Sequence, residues 1–302
     1  MLPRPRWIAL AGTAAISFTG IFVALADVSP ATAAFFRAAY AVPALGVIWL
    51  ILRRRDTRPV HLRAAGMASG VFLALDLLFW HRSIDLIGAG LATVIANAQV
   101  LFVGLFSFLV YRQHPTRNTL VFGSVTFVGL VLISGLGRSD AFGDDPVLGT
   151  VFGLLSAITY ACFLLILQRS NPGGMAPAPL ALLDATLGAA VATFVIGGIG
   201  GSLDLRPDWP AQGWLIALAL LGQVVGWTLI VYALPRLPAL TVSVLILAQP
   251  MLSVMWGRLL LGERLSVVQA TGAVLVLGGM VAVNLQRSLV RSDRPAPALE
   301  PG

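Results

Sequence analysis

The stretch that decides the fold lies near the end of the chain, where residues 240–265 read LTVSVLILAQPMLSVMWGRLLLGERL. Its apolar run of about 20 residues is long enough, as a helix, to cross a bilayer core of roughly 30 Å. Gln249 and Pro250 interrupt the run, and we expect a bend there because proline removes a backbone donor and crowds the preceding turn. Within a membrane, such a break persists only where protein or a water-filled cavity covers it. The stretch therefore predicts a transmembrane helix that borders a polar interior.

The same pattern occurs a second time in the first half of the chain. Residues 91–110 align with residues 241–260 at a constant offset of 150, so that Gln99 matches Gln249. Two glycines of the following span also repeat after a shift of one residue. An aligned polar residue in two long apolar segments is hard to attribute to chance. We therefore interpret the chain as a duplicated membrane bundle.

The composition agrees with a membrane protein. Of the 302 residues, 58% are hydrophobic and 11% are charged, and the mean hydropathy is +0.89. Soluble domains carry about 25% charged residues. The net charge of +7 would suggest nucleic acid in a soluble protein, but here the arginines lie between apolar runs and serve as topology signals. We expect an all-α polytopic protein whose partner is the lipid bilayer, and no nucleic-acid partner.

The apolar runs predict ten transmembrane helices arranged as two inverted five-helix repeats. The first repeat covers 1–136 (helices 1–5), the second covers 147–286 (helices 6–10), and 287–302 is predicted to be a disordered cytoplasmic tail. The first run is longer than the apolar core of a signal peptide, so we expect it to be retained. The predicted spans are 7–26, 32–52, 64–83, 88–110, 119–136, 147–167, 179–200, 211–233, 239–261 and 267–285.

An odd number of helices per repeat forces the second copy to enter the membrane upside down. With the N-terminus inside, 14 arginines fall in cytoplasmic segments and five fall outside, which places both termini in the cytoplasm by the positive-inside rule. Inverted repeats leave a site at their interface that rocking exposes to each side in turn. This arrangement is typical of a secondary transporter.

Two charged residues at similar depth make candidate site residues, because charges inside a membrane are rare. Arg37 lies near the outer end of helix 2, and Asp76 lies near the outer end of helix 3. One interpretation is a structural ion pair between them. The other is that Arg37 binds a substrate carboxylate while Asp76 binds its ammonium group or carries a coupling proton.

A third charge, Asp184, stands near the inner end of helix 7. It follows Pro177 by seven residues, as Arg37 follows Pro30, so the two charges occupy matched repeat positions. Asp184 is either an inner gate or proton-coupling residue, or a residue near a helix end that snorkels to the interface.

Neutral polar and aromatic residues mark the predicted cavity. Gln99 and Gln249 are pseudosymmetric and lie mid-span, and we expect them to line the cavity. Hydrogen bonding between helices is the alternative for any one such residue, worth roughly 1 kcal/mol or less. The other candidates for substrate binding are Trp80, Asn97, Tyr160, Gln223, Trp227 and Ser253.

Several chemistries have no support in the sequence. The three histidines are scattered, Cys162 is the single cysteine, and there is no lysine for a phosphate-binding loop. No Gly-x-Ser-x-Gly elbow occurs either. We expect no metal site, no cofactor and no enzymatic activity.

At residues 240–283 the pattern resembles the second EamA repeat of the drug/metabolite transporter superfamily. The resemblance is carried by Pro250, by the Leu-Gly-Glu loop that ends at Glu263, and by glycines in the last helix. Val100 and Gln113 stand in the first repeat where the proline and the glutamate would be, and Gln249 stands where many members carry glutamate. The resemblance implies a ten-helix inner-membrane carrier with a central cavity, in which Glu263 holds the turn between helices 9 and 10.

Many relatives of this kind export amino acids or other small metabolites. We therefore expect a secondary transporter that moves a small polar metabolite, as an exporter working by alternating access. A non-transporting membrane receptor or assembly scaffold is the alternative. Asp76 and Asp184 leave proton coupling and passive uniport both open, and no pattern indicates the oligomeric state.

Overall fold

A computed structural model describes residues 5–112, 117–233, 237 and 239–292. Within these ranges every regular element is helical. A π-helix, Leu218–Gly226, joins two of the α-helices, and single 3₁₀ turns occupy Arg53–Arg55 and Pro172–Gly174. The α-helices in chain order are α1 (Pro5–Ser17), α2 (Thr19–Ala26), α3 (Pro30–Leu52), α4 (Val60–Ala96), α5 (Gln99–Tyr111), α6 (Arg117–Ile133), α7 (Pro146–Arg169), α8 (Ala178–Ile199), α9 (Ala211–Ala217), α10 (Trp227–Ala233), α11 (Ala239–Leu260) and α12 (Val267–Ser292).

Six helical segments of the described chain are long and apolar enough to cross a membrane, judged by length and composition. They are Pro5–Ala26, Pro30–Arg55, Val60–Ala96, Pro146–Arg169, Ala178–Ile199 and Ala211–Ile230, and two shorter apolar segments are Leu120–Ile133 and Val267–Ala282. Large apolar side chains such as Ile51, Phe127 and Leu259 lie on the outer surface. Because lipid tails solvate such side chains while polar groups must be satisfied internally, this distribution suits a bilayer.

Local sequence signals begin two of the long helices. Ser29 accepts a hydrogen bond from the backbone N–H of Thr32 at 3.1 Å, and Pro30 occupies the first turn of α3. Asp145 caps α7 in the same way, with Pro146 after it. A capping oxygen followed by proline is a strong start signal, because proline has no N–H to leave unsatisfied.

The first predicted span is interrupted at Phe18, between α1 and α2. Ser17 Oγ donates to the carbonyl of Ala14 and Thr19 Oγ1 donates to the carbonyl of Ile16, each at 2.7 Å. Hydroxyl groups that bond back to a preceding carbonyl compete with the helical ladder and bend the helix. The interruption therefore has a local chemical cause.

The third and fourth spans differ from the prediction of two helices over 64–83 and 88–110. One helical element, α4, runs from Val60 to Ala96 and is broken only at Gly88, where φ is 81° and ψ is 163°. The chain leaves the helix again at Asn97 and Ala98 before α5 begins. The break at Gly88 is the turn between the two spans, shortened to one residue because glycine adopts positive φ without strain.

Two further helices depart from simple α geometry or from their predicted ends. The eighth predicted span consists of α9, the nine-residue π-helix and α10. π-Helices are rare and are often found at functional sites. Helix α12 continues to Ser292, so the first part of the predicted tail is helical, since its Leu, Val and Arg residues tolerate a helix. Residues 293–302 of that tail lie outside the described residues, as does Gln113.

Helix α4 packs closely against α8. A Cβ atom at Gly188 would fall on the carbonyl oxygen of Met67, and one at Gly70 would fall on the carbonyl oxygen of Ala185. Small residues let helix backbones approach closely inside a membrane. This interface fixes α4, and with it Asp76, against α8.

Candidate functional site

A cavity of about 300 Å³ lies inside the helical bundle. That volume stands at the lower end of the range for ligand pockets. Toward the end of the bundle that carries the arginines of 53–58, hereafter the arginine-rich end, the wall reaches Ala9 and Ile230. Its polar and aromatic lining comprises Thr13, Thr19, Arg37, Asp76, Trp80, Thr93, Asn97, Gln99, Tyr160, Gln223, Trp227 and Gln249.

Arg37 on α3 is one of the two charges in this wall, and it is only 7% exposed. Its Nε donates to Gln223 Oε1 at 3.3 Å, and its Cζ lies 5.5 Å from the ring centroid of Trp80. The two terminal guanidinium nitrogens are neither hydrogen-bonded within the described chain nor enclosed by it. They are therefore open to the cavity.

Gln223 reaches Arg37 from the π-helix and is itself held. Its Nε2 donates to Thr186 Oγ1 on α8 at 3.4 Å, and the side chain is 2% exposed. Arginine has only donors, so the carboxamide oxygen must face it and the amide nitrogen must face Thr186. This arrangement fixes the orientation of the guanidinium.

Asp76 on α4 is the opposite charge, and it too is 7% exposed. Its Oδ1 accepts a hydrogen bond from Ser156 Oγ on α7 at 2.6 Å. Its Oδ2 has no partner in the described chain and is not enclosed. Arg37 and Asp76 form no ion pair with each other within the 4.0 Å limit among the described residues. The structural ion pair considered above is therefore absent there, because each side chain is held by a different neighbour.

Two carboxamide side chains of the wall, those of Asn97 and Gln99, lie at the junction between α4 and α5. Asn97 Nδ2 donates to the carbonyl of Thr93 at 2.8 Å, and Gln99 begins α5. The Oε1 atom of Gln99 is enclosed but has no hydrogen-bond partner among the residues described. Gln249, its counterpart on α11, lines the same cavity. Both glutamines thus face inward.

Aromatic rings complete the wall. The rings of Tyr160 and Trp227 are 6.5 Å apart between centroids, and Trp80 lies beneath Arg37. Tyr160 also contacts Phe163 at 5.5 Å. Such faces bind apolar parts of a ligand and, through their quadrupole, cationic groups.

Ser253 is the one substrate-binding candidate that the structure places outside the cavity wall. Its Oγ donates to the backbone carbonyl of Ser17 at 3.1 Å, where α1 is interrupted. Trp256 Nε1 also donates to Ser17, at its Oγ and at 3.0 Å. The interruption of the helical ladder leaves a free carbonyl there, so Ser253 serves helix packing.

Asp184 lies near the arginine-rich end and away from the cavity wall. Its carboxylate pairs with Arg58 at 2.8 Å and with Arg63 at 3.4 Å. The guanidinium of Arg58 also donates two hydrogen bonds to Asp56, which hold the pKa of the Asp56 carboxyl below its ordinary value. The side chains of Arg58 and Asp184 are 0% and 3% exposed. Asp184 is therefore a buried, paired residue and not a snorkelling one.

Four aromatic side chains, which we call the aromatic layer, lie between the cavity and the opposite end of the bundle: Phe18, Phe22, Trp214 and Trp256. Phe18 stacks on Trp256 with ring centroids 4.6 Å apart, and Phe22 stacks on Trp214 at 6.0 Å. The layer joins Phe18 and α2 to α9 and α11. Its four rings are not part of the cavity wall, which reaches Ala9 and Ile230 toward the arginine-rich end.

The carboxylate of Glu263, which was expected to hold the turn after α11, binds a turn in the other half of the chain. Its two carboxylate oxygens accept the backbone N–H groups of Ala89 at 2.6 Å and Gly90 at 3.1 Å. These are free donors at the start of the helical segment that follows Gly88, where a carboxylate is favoured. Glu263 therefore anchors the segment that carries Asn97 to the loop after α11.

Two threonines of the wall, Thr13 and Thr19, were not predicted as site residues. Thr13 and Thr19 lie six residues apart on the first span, in the sequence AGTAAISFTG, where small and hydroxyl residues interrupt the apolar pattern. Those small and hydroxyl residues were the sequence signal that could have identified Thr13 and Thr19. The apolar part of the wall, such as Leu73 and Leu182, carries no distinguishing signal because similar residues fill every span.

Comparison with known proteins agrees with this architecture. The chain is 27% identical over 290 residues to an uncharacterized transporter of Archaeoglobus fulgidus, covering 93% of this chain and 99% of the relative. It is 27% identical over 232 residues to the threonine/homoserine exporter RhtA of Escherichia coli K12, covering 76% and 73%. It is 25% identical over 237 residues to a probable glucose uptake protein, GlcU, of Bacillus cereus, covering 75% and 79%.

A crystal structure of another protein has the same fold. It superposes with a TM-score of 0.61 over 97% of this chain and 100% of that one, at 16% sequence identity. The sequence model of the EamA-like transporter family matches two segments, residues 6–135 and 147–285. These segments cover most of the chain. The protein is therefore an all-helical, multi-pass membrane protein that belongs to the EamA-like transporter family.

Proposed function

We propose that the protein is a secondary transporter that exports a small polar metabolite, such as an amino acid, through the central cavity. The observation that carries the proposal is a cavity of about 300 Å³ that is formed by helices from both halves of the chain and lined by two opposite charges, Arg37 and Asp76. A receptor or scaffold has no need to keep charged groups in an enclosed, membrane-embedded space, where each is costly.

Alternating access between two inverted five-helix repeats, residues 1–136 and 147–286, is the proposed mechanism. The alignment of Gln99 with Gln249 and the arginine distribution support the inversion. The aromatic layer is the natural barrier on one side, and the extension of the wall toward the arginine-rich end marks the side from which the cavity is more nearly open. With both termini in the cytoplasm of an inner-membrane protein, that side is the cytoplasmic one, as an exporter in its loading state requires.

Flux through proteoliposomes tests this proposal. Purified full-length protein is reconstituted, and uptake and counterflow are measured for a panel of amino acids, sugars and organic acids, with and without an imposed pH gradient. We expect saturable movement of at least one small polar solute, and stimulation by the gradient if protons are coupled. Folded protein that moves no solute of any class would contradict transport and favour the receptor or scaffold alternative. The variant Ser253→Ala, whose residue lies outside the cavity wall, serves as a control that should retain flux.

Direction is tested in the same system. Vesicles with the arginine-rich end facing outward and vesicles with the opposite orientation are separated by protease access to a C-terminal tag. Export predicts faster net movement from the arginine-rich end to the other under the physiological gradient. Faster movement in the opposite sense would support uptake, the direction that the name of the Bacillus cereus relative describes.

A further inference from the structure

We propose that the cargo is a small zwitterion whose oxyacid group binds Arg37 and whose ammonium group binds Asp76. This inference rests on the transport function proposed above and narrows its substrate class.

Arg37 and Asp76 each have polar atoms without a hydrogen-bond partner in the described chain, and these atoms face the same cavity. The terminal nitrogens of Arg37 and the Oδ2 atom of Asp76 face the cavity, and no direct ion pair joins the two side chains. Buried charges are costly unless each is paired and hydrogen-bonded. A ligand with one negative and one positive group gives each side chain a direct partner, whereas an anion, a cation or a hexose leaves at least one of them without an oppositely charged partner in contact.

Each charge is turned toward the cavity by a neighbour from the second half of the chain. Gln223 occupies the Nε edge of Arg37, which leaves the terminal pair of nitrogens free for a bidentate contact with a planar oxyacid group. Ser156 occupies Oδ1 of Asp76 and leaves Oδ2 as an acceptor for an ammonium group. Gln223 and Ser156 are therefore positioning residues, since they act through Arg37 and Asp76.

The rest of the cavity limits the remainder of the ligand. A volume of about 300 Å³ is sufficient for a single small metabolite. The apolar residues of the wall include Leu73, Leu77, Phe163, Leu164, Leu182 and Ile230. A neutral α-amino acid with an apolar side chain fits this combination, and leucine is a suitable probe.

The deciding experiment uses the unmodified protein. In reconstituted vesicles, exchange of a panel of neutral α-amino acids is measured, and leucine is competed with 4-methylpentanoate, which lacks the amino group, with 3-methylbutylamine, which lacks the carboxylate, and with glucose. Loss of one charge-assisted contact is expected to weaken competition roughly tenfold to a hundredfold. Glucose is expected not to compete.

Two outcomes would overturn the inference while leaving transport intact. One is a single-charge analogue that competes as well as its parent amino acid. The other is exchange of glucose or of a singly charged solute when no amino acid exchanges. Folded protein that moves no solute at all contradicts the transport function itself, so the two failures are distinguishable.

Substitutions assign the two charges. Arg37→Gln should abolish the preference for leucine over 3-methylbutylamine, and Asp76→Asn should abolish the preference for leucine over 4-methylpentanoate. Arg138→Gln and Asp140→Asn make the same charge changes in an exposed loop and should leave both preferences unchanged. Preferences that survive in Arg37→Gln or Asp76→Asn would contradict the assignment.

Substitutions of Gln223 and Ser156 test whether these residues position Arg37 and Asp76. Gln223→Leu and Ser156→Ala should raise KM for leucine about tenfold, since each frees a side chain that it orients, while the maximal rate stays close to that of the wild type. A variant that is merely misfolded would lose maximal rate and elute abnormally in size exclusion. Unchanged KM in both variants would overturn the positioning role.

Discussion

Two arginines converge on the carboxylate of Asp184, and Arg58 also binds Asp56. Arg58 has no exposed side-chain surface, so its charge depends on these two carboxylates for compensation. The loop before α4 is thereby joined to the start of α8 at the arginine-rich end. A matched repeat position led us to consider Asp184 as a gate or proton site, but its contacts are those of a structural link.

Asp184→Asn tests this link. Loss of a hydrogen bond to a charged group in a buried site should lower the free energy of unfolding by about 1.5–3 kcal/mol, with Asp56 retaining part of the compensation of Arg58. The measurement is thermal unfolding in detergent, and Asp140→Asn, in an exposed ion pair, should leave Tm unchanged. A variant that is fully stable yet loses proton-driven flux would instead establish Asp184 as a coupling residue.

The contribution of Glu263 to stability should depend on pH. Burial raises the pKa of the Glu263 carboxyl above its ordinary value of 4.5, against the opposing effect of the N–H groups of Gly90 and Ala89. The folded state then binds more protons than the unfolded state between the two pKa values, so this contribution to stability falls as pH rises through that window. Relative to Glu263→Gln, which does not titrate there, the wild type should lose Tm as the pH increases from about 4 upward.

The wild type and Glu263→Gln are compared by the slope of Tm against pH, because Glu263→Gln also loses a hydrogen-bond acceptor and should be less stable at every pH. Its amide nitrogen would face a backbone N–H that now has no acceptor, which costs roughly 1–3 kcal/mol. Parallel pH dependence of Tm in the two proteins would contradict the proposed protonation behaviour.

Among the elements, the α4–α8 interface sets the position of Asp76. The backbones approach so closely at Gly70 and Gly188 that no side chain fits between them. The π-helix has a comparable effect on Arg37, because it carries the Gln223 side chain that binds the guanidinium. Both charges of the cavity thus depend on helix geometry away from the cavity itself.

Gly188→Ala should disrupt this interface. The added methyl group would fall on the carbonyl of Met67, and overpacking of this kind costs about 1–3 kcal/mol or more because backbone must move. Gly198→Ala on the same helix meets nothing within 4 Å and is the matched control. Thermal unfolding of both variants checks the expectation, and equal Tm values would show that α4 and α8 separate more easily than their contact implies.

The whole molecule presents arginines at one end and aspartates in the loops of the other. From the positive-inside rule we propose that the arginine-rich end faces the cytoplasm, together with both termini. His61 lies at the start of α4 near that end, and Ser139 lies in the loop between α6 and α7 at the opposite end. Both residues are exposed.

Cysteine labelling tests this orientation. In a Cys162→Ala background, Ser139→Cys should react with a membrane-impermeant maleimide in intact cells, because its loop faces outward. His61→Cys should react only after the cells are opened. Reaction of His61→Cys in intact cells, with Ser139→Cys protected, would reverse the topology and the direction of transport argued from it.

Much of the architecture was predictable because a membrane span depends on the length and polarity of a local segment. Nine of the ten predicted substrate-binding residues lie in one cavity wall, since polar groups within apolar helices have few other places to go. Ser253 was the exception, because a free carbonyl created by the interruption near Ser17 supplied a partner that no sequence pattern indicates. The loop was predicted at residues 84–87, with Gly88 inside the next span; the one-residue turn at Gly88 was not predicted, because its anchor, Glu263, lies far away in sequence.

The sequence by itself determined that the chain is a bundle of membrane helices with polar residues turned inward, because hydrophobic length and the cost of polar groups in lipid act on each segment separately. Only the tertiary structure decided which partner each inward residue takes. Arg37 binds Gln223, Asp76 binds Ser156, and Asp184 binds Arg58, so that two charges face the cavity and one does not. Those choices depend on how helices distant in sequence pack, and on a π-helix and glycine contacts whose geometry has no local signal.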